Sequence, residues 1–155
     1  VGAALARRLG WRFEDGDGFH PPANVAKMKA GHPLDDADRR PWLEAIAAEI
    51  ARVAAGRGYI VIACSALKRA YRDILIDGRT DARIVFLDGD QALIAARLAK
   101  RKGHFMPPGL LASQFATLEP PAPDEHVITV PIDADVESIV DDIVRKLLSS
   151  SLREA

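Results

Sequence analysis

Three short runs, residues 59–64, 83–87 and 127–130, are apolar at nearly every position and rich in β-branched and aromatic side chains. A strand with one face in water alternates apolar and polar residues. A short run without alternation suits a strand covered on both faces, which is the habit of parallel sheets. The stretches between these runs carry helical spacing instead. Val136, Ile139, Val140, Ile143, Val144, Leu147 and Leu148 fall on one helix face, with Asp135 placed to cap it. Trp42, Ile46, Ile50 and Val53 mark a second helix that ends near Gly56. With Asp38 as its N-cap, Pro41 falls at the third helical position, where a missing N–H costs nothing. Further helices are expected near 66–76, 91–102 and 108–117. Strands that alternate with helices imply right-handed crossovers and an α/β fold, a parallel sheet with helices on both faces.

The 155 residues suffice for one domain with a proper core, and no repeat or interdomain linker divides them. A net charge of −1 gives no bulk attraction to nucleic acid or to a membrane surface. A single cysteine, Cys64, excludes an internal disulfide and fits a reducing compartment. No apolar run approaches membrane-spanning length and no signal peptide is read at the start, so a cytoplasmic protein is expected. Val1, Leu5 and Leu9 already follow helical spacing, with Gly10 as a C-cap, so the sequence opens inside an element.

The chemistry-bearing residues come in four groups. The first is Asp15-Gly16-Asp17-Gly18-Phe19-His20-Pro21, after a short apolar segment at 11–13 that reads as a strand. Two carboxylates at a strand's carboxyl end can face a ligand crevice; Asp-Gly pairs also make ordinary turns. His20, Asn24 and Lys27 follow within hydrogen-bonding reach of a polyol, and each also has a structural reading. The second group is Asp35, Asp36 and Asp38, best read as helix caps behind Leu34, with Arg39 beside them. Arg39 suits a carboxylate ligand, and pairing with Asp35 or Asp36 is its structural alternative. The third is Cys64-Ser65-Ala66-Leu67-Lys68 with Arg72. Cys64 reads as a small buried hydrophobe, Ser65 as an N-cap, and Lys68 and Arg72 share a helix face at i, i+4. The fourth is Arg97, Lys100, Arg101 and Lys102 before Gly103. These residues either complement a helix dipole or close over phosphate oxygens.

Taken together, the segment 15–43, Cys64–Lys68, Tyr71-Arg72-Asp73 and Arg101-Lys102-Gly103-His104-Phe105 resemble gluconokinase, a small sugar-acid kinase family with a P-loop, nucleoside-monophosphate-kinase-like fold. The resemblance runs from Val1 to about Val144. It implies ATP-dependent phosphorylation of D-gluconate at the 6-hydroxyl with Mg²⁺. The implied partner is a small molecule, not nucleic acid or membrane, and a homodimer is left open. By resemblance Asp17 serves the substrate hydroxyl as base or orienter, and Asp15 the outer shell of the metal through water. Arg97 and Arg101 stabilise the transferring phosphoryl group, Lys102 contacts the nucleotide, and His20, Asn24, Lys27, Arg39, Lys68 and Arg72 contact the substrate. Residues of about 21–56 form a helical substrate-binding insertion and those of about 97–118 a lid. No G-x-x-x-x-G-K-[ST] occurs in the sequence. The resemblance places Val1 just after that loop, lacking the first strand, and implies impaired activity for these 155 residues. Three rival readings stay open: a kinase for another small sugar acid or polyol, a non-catalytic homologue that binds a sugar acid or a protein partner, and a generic α/β domain with accidental acidic turns.

Overall fold

The computed structural model describes residues 1–101 and 108–151. Helix α1 (Gly2–Leu9) leads into strand β1 (Arg12–Asp15) and a 3₁₀ turn (Gly16–Phe19). Two helices follow, α2 (Pro22–Lys29) and α3 (Asp36–Ala55), and then β2 (Ile60–Ala63) and α4 (Arg69–Ile76). The chain continues through β3 (Val85–Asp88), α5 (Gln91–Lys100), α6 (Pro108–Thr117), β4 (Ile128–Pro131) and α7 (Val136–Ser151). The fold is α/β with parallel strands, as the apolar runs require. β1 pairs with β2 so that Arg12 faces Ile60 and Asp15 faces Ala63. β3 pairs with β4, with Val85 opposite Ile128 and Asp88 opposite Pro131.

The sheet differs from expectation in one respect. Among the described residues the strands form two separate pairs, not one continuous layer. An apolar cavity of about 640 Å³ lies between them, lined by Val61 and Ile62 of β2, Val85 and Leu87 of β3, Leu5 of α1 and Ile143 of α7. Helix α1 spans the gap by packing on β1, β2 and α7. Two-sided cover is also incomplete: in β4, Ile128 and Val130 are buried while Thr129 and Pro131 are exposed. A run can therefore be continuous in sequence and still bury only alternate residues where its partner layer covers one face.

The core divides along the same line. One cluster joins Leu5, Ile128, Val130 and Ile132 to Ile139, Val140 and Ile143 of α7. Asp135 caps α7 as expected, accepting the Ser138 N–H at 2.9 Å. The other cluster joins Trp42, Leu43 and Ile46 of α3 to Leu67, Tyr71 and Leu75.

Two helix starts correct the expectations. Helix α3 begins at Asp36, not after Asp38, because Asp35 and Asp38 form a capping box: Asp38 N–H donates to Asp35 Oδ1 at 2.8 Å, and Asp35 N–H to Asp38 Oδ2 at 2.9 Å. Pro41 therefore sits inside the helix and leaves the Ala37 carbonyl without its usual donor. The neighbouring Asp38 carbonyl gains one from outside, the Asn24 amide at 2.7 Å. Helix α4 begins at Arg69 with Lys68 in the N-cap position, so Ser65 is not its cap. The first turn of α4 is closed instead by Glu119, which accepts the Arg69 N–H at 2.9 Å.

Arg72 is the anchor of α4. It is buried at 4% exposure, and its Nε and Nη2 donate to Glu125 at 2.6 and 2.9 Å. Its Nη1 donates to the carbonyls of Ala66 and Glu119. The guanidinium holds the Glu125 carboxyl down at about 2, against an ordinary 4.5. A carboxylate lowered in the folded state lends stability that is complete above its unfolded value and fades as pH falls through the folded one. Glu125→Gln is expected to destabilise the protein by about 3 kcal/mol near neutral pH, because it strands a buried guanidinium. Urea denaturation should show that deficit shrinking from pH 5 to pH 2.5; a constant deficit would contradict the assignment.

Candidate active site

The carboxyl ends of β1 and β2 lie side by side, and the acidic turn starts there. Gly16 is buried so tightly against β2 that a Cβ at this position would collide with the Ala63 carbonyl oxygen. Only glycine fits. The Asp15 carboxylate folds back to accept the Asp17 N–H at 3.0 Å, which caps the 3₁₀ turn and leaves the Asp17 side chain exposed at its start. His20 ends the turn and stacks on Trp42, with centroids 4.3 Å apart and planes inclined by 15°. The Trp42 indole N–H donates to the Gly16 carbonyl at 2.7 Å.

From His20 the contacts run to Asp38 of α3, and a second set is built on Tyr71 and Asp36. Asn24, buried at 4% exposure, sets its amide nitrogen 3.3 Å from His20 Nδ1. An amide nitrogen only donates, so Nδ1 is the acceptor and the imidazole is neutral, with its proton on Nε2. Burial lowers the His20 pKa below the ordinary 6.5, partly opposed by Asp17 and reinforced by Arg39. Lys27 Nζ bonds Asp38 Oδ2 at 2.6 Å, which raises the lysine and lowers the aspartate. Arg39, at 8% exposure, donates to Tyr71 Oη at 3.3 Å and lies over its ring. Tyr71 O–H donates to Asp36, and Lys68 Nζ bonds the same carboxylate at 2.8 Å. That hydrogen bond raises Lys68, and together with Tyr71 it lowers Asp36.

The residues singled out in the sequence therefore fall into three places. Asp15, Asp17, His20, Asn24, Lys27, Arg39 and Lys68 gather at one place, in two sets of contacts joined through the start of α3. Arg97 and Arg101 form a second group close to Val1, at the amino end of α1. Arg97 also donates to the Ala134 carbonyl at 2.8 Å. Arg72 is engaged in the clamp already described. Lys102, His104 and Phe105, and with them much of the expected lid, lie outside the described residues, as does Gly103, expected to end α5; that helix ends at Lys100. Cys64 is pushed up to about 11 by burial, which suits a packing residue and not a nucleophile.

Sequence reasoning missed Trp42 and Tyr71 as members of this site. Both carry an apolar body with a polar tip, and that combination at a buried helical position was the available signal. It read Asp36 and Asp38 chiefly as caps, with Asp36 also a possible partner of Arg39, and did not pair them with the lysines. Asp38 is indeed half of a capping box, yet both carboxylates also hold the lysines.

No protein-family model matches the chain. Individual relatives match along almost all of it. The chain is 48% identical over 147 residues to the gluconokinase of Gluconobacter oxydans (strain 621H), covering 94% of this chain and 82% of that protein. It is 44% identical over 158 residues to a probable gluconokinase of Xenopus tropicalis, covering 92% and 83%. The chain belongs to the gluconokinase family. Its structure also superposes on the crystal structure of a gluconokinase from Sinorhizobium meliloti 1021 with a TM-score of 0.85, at 39% identity over 98% of this chain and 86% of that one. Family membership makes it an ATP-dependent carbohydrate kinase, a transferase, acting on a small molecule. Among the described residues, no helix is long and apolar enough to cross a membrane.

A lowered histidine is protonated more readily in the unfolded chain, so its contribution to stability is whole above pH 6.5 and is lost as pH falls. The His20 ring, followed by its Hε1 proton resonance, is expected to titrate below 6.5. Asn24→Ala should move that midpoint, since it removes the bond that reads Nδ1 as neutral. A midpoint above 6.5 would contradict the tautomer.

Proposed function

We propose that this chain transfers the terminal phosphoryl group of ATP to the 6-hydroxyl of D-gluconate, giving 6-phospho-D-gluconate. One observation carries this reading. Asp17 offers an exposed carboxylate, His20 and Asn24 follow it as neutral hydrogen-bonding groups, and the cations Lys27, Arg39 and Lys68 are held on or against α3. A linear polyol acid needs the same order: a group to orient the reacting hydroxyl, partners for the remaining hydroxyls, and positive charge for the carboxylate.

In this reading Asp17 accepts a hydrogen bond from the 6-hydroxyl and takes its proton late, since phosphoryl transfer through a loose transition state asks mainly for positioning. The Nε2–H of His20 donates to a substrate hydroxyl, and Asn24 and Lys27 offer further partners. Arg39 and Lys68 receive the carboxylate. Lys68 already holds one carboxylate, that of Asp36, so binding exchanges like for like. Arg72, assigned to the substrate on sequence grounds, is better read as a positioning residue, because Glu125 and main-chain carbonyls take its donors. Residues of about 21–56, mostly in α2 and α3, act as the substrate-binding insertion, and those of about 97–118 as a lid.

Arg97 and Arg101, at the positive end of α1, would meet the phosphate oxygens of ATP. Among the described residues no group of three or more acids, histidines or cysteines could cage a metal ion. That donor set fits Mg²⁺ held mainly by nucleotide phosphates and water, with Asp15 in its outer shell. Bound there, Mg²⁺ would neutralise charge on the phosphates.

Calorimetry without nucleotide isolates substrate binding and carries the test. Gluconate is expected to bind one to one. Lys68→Met should weaken it about tenfold, while glucitol, which lacks the carboxylate, should bind poorly to both forms. With ATP and Mg²⁺ added, ADP release should depend on gluconate and fall about a hundredfold in Asp17→Asn at nearly unchanged affinity. Equal binding of gluconate and glucitol, or none of either, would refute the proposal.

A further inference from the structure

Asp17 and His20 depend on contacts from other elements to hold their place. Neither is held by its own packing: Asp17 is exposed and His20 only half buried. Their 3₁₀ turn is capped by Asp15 and bonded by Asn24 at His20, and two further contacts fix where it sits against β2 and α3. One is the close approach of Gly16 to Ala63. The other is Trp42, buried at 2% exposure, which bonds the Gly16 carbonyl through Nε1 at 2.7 Å and lies flat against the His20 ring. Trp42 stands on α3 within two turns of Asp36, Asp38 and Arg39, which join the cationic end of the site. The same residue therefore touches the hydroxyl end and rides on the element that carries the carboxylate end.

We infer that Trp42 is a positioning residue that sets the span between Asp17 and His20 at one end of the site and Arg39 and Lys68 at the other, and so selects the chain length of the aldonate. The inference rests on the aldonate reading proposed above. Physically, a Trp side chain is rigid, with two rotatable bonds, and joins a large apolar face to one N–H donor. A Phe at this position keeps a ring for His20 to stack on. It leaves the buried Gly16 carbonyl without its partner, which favours a shifted turn. A shift there changes the distance to Arg39 without touching either cation. A six-carbon acid that fits the native span should suffer, and a five-carbon acid that never reached both ends should not.

The test compares wild type, Trp42→Phe and Ile46→Val. Ile46 is buried at 1% exposure one turn further along α3 and touches the same core, so it controls for loss of packing. Calorimetry with gluconate and with a five-carbon aldonate gives the preference. The amide resonances of Asp17 and Gly18 give the position of the turn without any ligand. In Trp42→Phe, gluconate affinity is expected to fall about tenfold, five-carbon affinity to stay within about twofold, and both resonances to move. Ile46→Val is expected to change none of these. The inference is overturned if Trp42→Phe leaves both resonances in place, if it weakens both acids equally, or if Ile46→Val reproduces its effect. Should the wild type bind no aldonate, the functional reading fails by itself. The resonances then decide the positioning role: moved in Trp42→Phe alone, Trp42 holds the turn; unmoved, it does not.

Discussion

The close approach of Gly16 to the Ala63 carbonyl decides where everything else in the site can stand. Parallel pairing brings the ends of β1 and β2 together, and a side chain between them would force them apart. With glycine there, the chain turns at once, and the Asp15 carboxylate can close the turn on the Asp17 amide. The turn then lies low enough for the Trp42 indole to reach its carbonyl. His20 follows onto the indole face, Asn24 onto His20, and α2 is drawn against the start of α3. Each step is a short-range contact of ordinary strength. Their order matters, because each presents the donor or acceptor that the next one uses.

Charge in the site is balanced before any ligand arrives. Lys27 is held by Asp38 and Lys68 by Asp36, while Arg39 rests on the Tyr71 ring and hydroxyl. A cluster of uncompensated cations would repel itself and strain the fold. Paired cations stay in place; on the proposed reading an arriving carboxylate would replace one already present. Affinity for a sugar acid would then be the difference between two similar ion pairs, which favours discrimination over tightness. The Arg72–Glu125 pair is different in kind. It is buried, closed on all sides, and holds α4 to the segment before β4.

Much of the fold was legible in the sequence for simple reasons. Apolar runs without alternation marked parallel strands, and the 3.6-residue spacing of 136–148 marked the last helix with its Asp135 cap. The helix boundaries at Asp36 and Arg69 were not legible, because each is decided by a contact from elsewhere. Asp38 looks like a cap in isolation; it becomes the far half of a capping box once Lys27 and Asp35 hold it. Ser65 looks like a cap as well, but Glu119, fifty residues on from Arg69, closes that turn instead. The two-pair arrangement of strands was not legible either, since a run of apolar residues does not name its neighbours.

For the site, residue types and their order along the chain determined the chemistry on offer: two exposed acids after a strand, a histidine, an amide and several cations. Composition also determined that no disulfide forms within these 155 residues, which hold a single cysteine. The tertiary structure alone decided which of those groups meet. Lys68 and Arg72 lie four residues apart, yet one pairs with an exposed carboxylate at the site and the other is buried against Glu125. Trp42 and Tyr71 acquired their roles only through neighbours distant in sequence. The reason is that side-chain chemistry is a local property, whereas the partner that activates, neutralises or positions a group is set by packing between elements far apart along the chain.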